Sequence, residues 1–250
     1  MARRLCMAAI NVIRQAKVVH ILSDGAFCDA GGIVCELGPI TFVLPHLRAA
    51  IAIRGPGHIM PFLLHRLSRE CRSFEDVLRR IVPVALDVHS SFPMTLGTME
   101  HGGVEPDFDL VVAGWSTVRN EPTSYLVRGH DGRTLRPAGA REAWQLIELP
   151  DITITPPVDD EQIKAVGWNV PQSAEAFQPT LDGVKLLQAQ RRSRKFLDPL
   201  QPKQRQGYTV GGFVQLTSVS LNDVSSGILH RWPDEVGRKI QSDLDRLPHP

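Results

Sequence analysis

The chain lacks several features that would point to a function at once. Its four cysteines, Cys6, Cys28, Cys35 and Cys71, include no C-x-x-C pair, which argues against zinc knuckles and dithiol redox motifs. Twenty-eight basic and 27 acidic side chains leave a net charge of +1, so overall charge favours neither nucleic acid nor a membrane surface as partner. No apolar run reaches the roughly 18 residues of a membrane helix, and no histidine spacing matches a metal site. We therefore expect a cytoplasmic protein that holds no metal and no cofactor.

The first third of the chain is rich in short β-branched runs. With 250 residues, of which 42% are hydrophobic, the chain can bury one large core, so we expect a single domain over residues 1–250. Gly-Gly, Gly-Pro and Pro-His pairs separate the runs as turns. The predicted strands are Ala8–Ile13, Lys17–Ser23, Ile33–Glu36, Ile40–Leu44 and Arg48–Arg54.

Helical and strand patterns then alternate in groups. Apolar spacing predicts helices over Pro56–Arg69 and from the cap Ser73, followed by a loop over Phe92–Pro106. Later predicted strands are Phe108–Ser116, Ser124–Arg128, Ala143–Leu149, Tyr208–Val219 and Gly227–Arg231, with helices at Leu181–Arg194 and Pro233–Leu247. Grouped strands favour an α+β fold with antiparallel sheets covered by helices over a parallel βαβ sheet.

Four strand endings carry a family resemblance. These are Ser23-Asp24-Gly25, Ala52-Ile-Arg-Gly55, Ala113-Gly-Trp-Ser116 and Val210-Gly-Gly-Phe213. Their order and spacing resemble those of proteasome β-type subunits and HslV peptidases, which are N-terminal-nucleophile (Ntn) hydrolases. The resemblance implies a four-layer αββα sandwich of two antiparallel sheets flanked by helices. It also implies that residues 1–7 form a leader, whereas the local pattern predicts a C-terminal helix and tail over residues 233–250.

The same resemblance implies that catalysis has been lost. In this family the nucleophile is a Thr, Ser or Cys that becomes the first residue, with its own amino group as base. Counting back from Asp24 places Ala8 there, the family lysine falls near Ile40, and the late aspartate and serine fall near Gly207 and Val210. Asp24 alone matches the catalytic set. The resemblance thus implies a degenerate, non-catalytic subunit of a homo-oligomer or larger assembly, of the kind found in bacteria and phages, and either cytoplasmic or virion-associated.

Two other functions stay open at this stage. The chain could be an amide or peptide hydrolase with a displaced nucleophile, either Cys6 after trimming of the leader or Ser23. Alternatively, a basic run of Arg191, Arg192, Arg194 and Lys195 at a helix end could contact nucleic acid, although cations there also oppose the helix dipole. His20 and Asp24 lie too far apart along one strand to form a triad. Trp168, in a proline-rich segment, is the predicted interface residue.

Overall fold

The computed structural model describes residues 4–5, 8–29, 31–55, 57–96, 108–129, 143–196 and 206–241. Its strands are β1 (Arg4–Leu5), β2 (Ile10–Gln15), β3 (Val18–Ser23), β4 (Ala26–Asp29), β5 (Val34–Leu37), β6 (Thr41–Leu44), β7 (Ala49–Arg54), β8 (Asp109–Ser116), β9 (Glu121–Arg128), β10 (Leu146–Glu148), β11 (Ile152–Thr153), β12 (Arg194–Phe196), β13 (Gln206–Tyr208), β14 (Phe213–Ser220) and β15 (Val224–Arg231). The helices are α1 (Met60–Glu70), α2 (Phe74–Leu96), α3 (Asp160–Ala165) and α4 (Pro179–Arg191).

Two five-stranded antiparallel sheets hold most of these strands. We call them sheet I, with the order β11-β2-β3-β14-β15, and sheet II, with the order β10-β9-β8-β7-β6. A tight turn after β2 gives the predicted hairpin with β3. In sheet I, β3 also pairs with β14, so strands from opposite ends of the sequence lie side by side. The antiparallel α+β class predicted from the grouping of strands is therefore confirmed.

One apolar cluster is shared by the two sheets. Every second residue of a strand faces the same way, and sheet I contributes Val12, Val19 and Ile21 to this cluster, each fully buried. Sheet II contributes Ala50 and Ala52 of β7, also fully buried. Small alanines of sheet II thus pack against branched side chains of sheet I in this cluster.

The remaining faces of the sheets pack against helices. The alternate residues of sheet II, such as Ile51 and Val112, share a cluster with Leu63 of α1 and Ile81 of α2. On sheet I, Ile13, Leu22 and Val214 share a cluster with Leu186 and Leu187 of α4. A sheet that is apolar on both faces needs cover on both, which explains why the strands read as nearly continuous hydrophobic runs.

Helix α2 is longer than the sequence predicts. Ser73 caps it as expected, since its Oγ accepts the backbone N–H of Asp76 at 3.1 Å. The helix then passes through Pro83 and ends at Leu96, so the loop predicted from Phe92 is wrong for residues 92–96. Burial of a stripe of apolar residues along α2 outweighs the hydrogen bond that proline removes. Residues 97–106 of that predicted loop lie outside the described part of the chain.

The close contact between α2 and sheet II predicts that a larger residue at Gly114 lowers stability. A Cβ there would lie 2.3 Å from the Phe74 ring and 2.8 Å from the carbonyl oxygen of Arg48, which cannot move aside. We expect Gly114→Ala to lower the free energy of unfolding by about 1–3 kcal/mol, as overpacking does. Urea denaturation measures this, with Gly38→Ala as control, because its Cβ would meet nothing closer than 3.4 Å. Equal stability of both variants would contradict the packing described.

The C-terminal helix predicted from Pro233 does not begin there. Residues 233–241 hold a turn and a bridge, and Gly237 has a φ of 88°, which a helix cannot contain. The carboxylate of Asp234 is bonded to Arg191 and to the amide of Gly212 instead. Residues 242–250 lie outside the described residues, as do residues 1–3 and 6–7 of the predicted leader, whereas Arg4–Leu5 pairs with β4.

Trp168 is a third correction. It is only 6% exposed, and its Nε1–H donates to Asp182 of α4 at 3.0 Å, so it belongs to the core under α4 and not to an interface. The short helix α3, just before it, was missed from the sequence. A capping box starts α3, in which Asp159 and Gln162 each accept the backbone N–H of the other.

Candidate functional site

Asp24 sits at the end of β3, where three distant segments of sheet I meet. The last pair of the β2–β3 ladder is Ile10 with Ser23, so Ala9 comes to lie opposite Asp24. One carboxylate oxygen of Asp24 accepts the amide N–H of Ala9 at 2.9 Å, and the other accepts that of Gly211 at 2.8 Å. These two amides are 15 and 187 residues from Asp24 along the chain, and the nearby amide of Ala26 also bonds to the carboxylate.

Burial dominates the electrostatics of this carboxylate. Asp24 has no exposed surface, and its burial raises the pKa from 3.8 to about 7. The hydrogen bonds from the amides of Gly211 and Ala9 act in the opposite direction, because they stabilise the charged form. The main causes of the shift are thus burial and backbone amides, not a lysine or arginine. Within the described residues, Asp24 forms no ion pair of the kind that a catalytic aspartate of the resembled family makes with its lysine.

The other positions of the resembled catalytic set are apolar. Ala8 is 1% exposed, and its methyl group packs in the cluster between the sheets. Ile40, where the family lysine would stand, is fully buried in the same cluster. Val210 is 1% exposed, and Gly207 lies in β13 without a side chain. The structure brings Asp24 and Ala8 together, and none of the described residues at these catalytic positions carries an oxygen or sulfur nucleophile.

Ser23 faces the space between the sheets. Its Oγ is fully buried and bonds to the Oγ1 of Thr41 at 2.9 Å. A neutral hydroxyl cannot act as the general base that a serine nucleophile needs. Cys6, the other displaced nucleophile considered from the sequence, lies outside the described residues.

His20 lies on the opposite face of the same sheet. Its ring bonds to the Oγ of Ser218 at 2.8 Å and to the Oε1 of Gln15 at 3.2 Å. Both amide hydrogens of Gln15 are donated to the carbonyls of Ala174 and Phe177, which directs its oxygen toward His20. Burial lowers the pKa of His20 to about 4, so the ring is neutral at pH 7. This arrangement ties β2, β3 and β14 together, and Asp24 takes no part in it.

A buried ion pair holds the Gly211–Gly212 turn in place. Arg191, at the end of α4, is bidentate to Asp234 with both nitrogen–oxygen distances at 2.7 Å, and both side chains are 5% exposed. Arg191 also donates to the carbonyl oxygen of Val210 at 3.0 Å. The same carboxylate of Asp234 accepts the amide of Gly212 at 2.7 Å. This network was not predicted from the sequence. The local sign of it is an arginine at the end of a helix that precedes a Gly-Gly strand.

The residues of the basic run at the end of α4 therefore lie in different environments. Arg191 is buried and paired, so it cannot reach a phosphate. Arg192 is half-buried, and Arg194 is exposed with its guanidinium 5.3 Å from the centre of the Tyr208 ring. The main chain of Lys195 pairs with Gly207 in the β12–β13 ribbon. Arg191 is therefore removed from the basic surface considered from the sequence, while Arg194 remains on it.

Among the described residues, no group of three or more His, Cys, Asp and Glu side chains could hold a metal ion. No helix within those residues is long and apolar enough to cross a bilayer.

Comparison with known proteins gives a likeness in fold but none in sequence. No protein-family model and no curated protein matches the sequence. The fold is similar to that of a mutant of Anbu, a proteasome-related protein of Hyphomicrobium sp. strain MC1. The TM-score is 0.52 and the identity 10%, over 89% of this chain and 88% of that one. At an identity this low, the likeness is evidence for the fold alone. The chain therefore has a proteasome-like fold of the Ntn type.

Proposed function

We propose that this protein is a catalytically inert relative of proteasome-like subunits that serves as a structural or assembly component. One observation carries the proposal: both carboxylate oxygens of Asp24 are occupied by backbone amides, and Ala8 stands where the nucleophile is needed. An Ntn hydrolase needs a side-chain oxygen or sulfur beside a free amino group. Here the aspartate instead fastens the ends of β2, β3 and the turn before β14.

The arrangement of the helices supports the finer description of the fold as an αββα sandwich. The α1–α2 pair shares a cluster with one face of sheet II, both sheets share the next cluster, and α4 shares the last with sheet I. Together these clusters are what a four-layer sandwich of the Ntn type requires. The likeness to Anbu supports the same description.

The proposed setting of the protein is an assembly of identical subunits. This part of the proposal depends on the resemblance to proteasome-like proteins, which are members of rings, and on the related short proteins of phages. A virion or tail component is the specific setting we propose. A cytoplasmic assembly factor is the alternative.

Loss of catalysis can be tested on the purified full chain. We expect an intact mass that includes residue 6, and no covalent labelling by a peptide vinyl sulfone, because position 8 is an alanine. Mass spectrometry reads both results in one experiment. An active proteasome preparation serves as the positive control for labelling.

One result would overturn the proposal. A mature chain that begins at Cys6 and carries the label would show a working thiol nucleophile and a true hydrolase. Labelling that persists in a Cys6→Ala variant but is lost in Ser23→Ala would identify the other displaced nucleophile.

A further inference from the structure

Strand β15 is an edge of sheet I, and no strand of the described residues other than β14 pairs with it. It is the last strand in the sheet order and pairs with β14. Four successive residues, Ser225–Ile228, are exposed. The apolar side chain among them is Ile228, and the residue is 44% exposed. A long exposed edge is a template for pairing with another strand, and proteins that avoid such pairing place proline, lysine or other charges there. Residues 224–229 carry none of these.

The residues of β15 are arranged symmetrically about Ser226, with Val224 half-buried and Ser225–Ile228 exposed. In the ladder with β14, Val224, Ser226 and Ile228 oppose Val219, Thr217 and Gln215, so all three face the same side of the sheet. A bulge interrupts the ladder between Val214 and Gln215, beyond Ile228. The regular segment is therefore Val224–Ile228, with a β-branched residue at each end and serine in the middle.

This symmetry fits a second copy of the same strand. If two copies run antiparallel about a twofold axis at Ser226, then Val224 of each lies opposite Ile228 of the other. Facing apolar pairs of this kind stabilise antiparallel strands. The two serines face each other on the axis, and two small residues, Ser225 and Gly227, form the remaining pairs.

The charges at the two ends of β15 favour the same orientation. Asp223 precedes the strand and Arg231 ends it, and both side chains are exposed. An antiparallel neighbour brings the acidic end of one copy to the basic end of the other. A parallel neighbour would set like charges side by side, which is unfavourable.

We propose that β15 pairs antiparallel with β15 of a second copy of this chain, so that two five-stranded sheets join into one continuous sheet. The inference rests on the proposed role as an assembly subunit and specifies the partner and the surface. A twofold interface of this kind is isologous and closes at two copies, unlike a head-to-tail ring contact.

Sedimentation of the full chain at increasing concentration tests the pairing. We expect the wild type to dimerise and Ile228→Lys to raise the dimer Kd by about 10- to 100-fold, because an ammonium would be placed against the apolar Val224 of the second copy. A circular dichroism spectrum and melting curve confirm that the variant remains folded. Val118→Lys, at a site that is 81% exposed away from β15, is the matched control and should dimerise normally.

Four further variants test the register and the orientation of the pairing. Under mild oxidation, Ser226→Cys should give a disulfide-linked dimer, whereas Val118→Cys should not exceed the wild type. Asp223→Arg and Arg231→Asp should each weaken the dimer, and the double variant should restore it.

A monomeric wild type, or a dimer that none of these changes affects, overturns the inference. Capture of a different strand by β15 would show as a hetero-complex that Ile228→Lys abolishes, and it would also overturn pairing between copies. Neither result bears on catalysis, which the vinyl sulfone labelling reads independently. Conversely, a labelled dimer would overturn the inert function and leave the interface intact.

Discussion

Replacing Arg191 by methionine should lower the free energy of unfolding by about 3–5 kcal/mol, because it leaves the carboxylate of Asp234 buried without its cation. The loss extends beyond the ion pair. Arg191 also donates to the carbonyl oxygens of Val210 and Gln241, at 3.0 and 2.9 Å, and these would lose their partner. Urea denaturation followed by circular dichroism measures the change.

The neighbouring arginine provides the control. Arg192→Met changes the same side chain one residue later, at a half-buried site, and should alter stability by no more than about 0.5 kcal/mol. A second variant, Arg191→Met with Asp234→Asn, should be more stable than Arg191→Met alone, because the unpaired charge is removed. If Arg191→Met matched Arg192→Met, the ion pair would not support the Gly211–Gly212 turn.

The second large effect is expected at Asp24. Asp24→Ala leaves the amides of Ala9 and Gly211 without acceptors, and a buried unpaired donor costs about 1–3 kcal/mol. Part of this cost is offset because a buried carboxylate is no longer held in the core. We expect a net loss of about 2–4 kcal/mol at pH 7, measured by urea denaturation. A loss within experimental error would mean that Asp24 does not fasten these segments.

The carboxylate also makes stability depend on pH. Its pKa is about 7 in the folded chain and 3.8 as the ordinary value, so the folded chain binds the proton more tightly between these limits. Stability from this group is thus fully present below about pH 4 and is lost as pH rises through 7. One pKa unit corresponds to 1.36 kcal/mol, which gives a decline of about 4 kcal/mol.

The matched control for this pH dependence is Asp24→Asn, which cannot titrate. The stability of the wild type minus that of Asp24→Asn should fall between pH 4 and 7. A difference that stayed flat over this range would mean that the carboxylate keeps its ordinary pKa in the folded chain.

The sequence predicted the sheets better than the segments around them. The hairpin of β2 and β3 and the buried strands β7 and β8 follow from apolar runs bounded by turn residues, which are local signals. The ending of the chain was predicted poorly, because proline at Pro233 is a typical helix start whereas Asp234 is held by a residue 43 positions away. The local sequence pattern around Pro233 gives no information on the contact between Asp234 and Arg191.

The candidate site shows the same limit. The position of Asp24 beside Ala8 could be inferred by counting along a resembled motif. The partners of its carboxylate could not, since the amide of Gly211 has no side chain to mark it in the sequence. Likewise, the sequence treated Arg191 as one of several cations at a helix end, and only the folded chain separates it from Arg192.

The pairing of β3 with β14 also affects how the protein is made. Ribosomes add residues from the amino end, so the β2–β3 hairpin emerges long before β14, which meets it in the register of Leu22 with Leu216. During that interval one side of β3 has no native neighbour, and contacts of such long sequence separation form slowly. A chaperone that shields nascent strands should therefore raise the yield of this protein more than that of a helical protein of equal length.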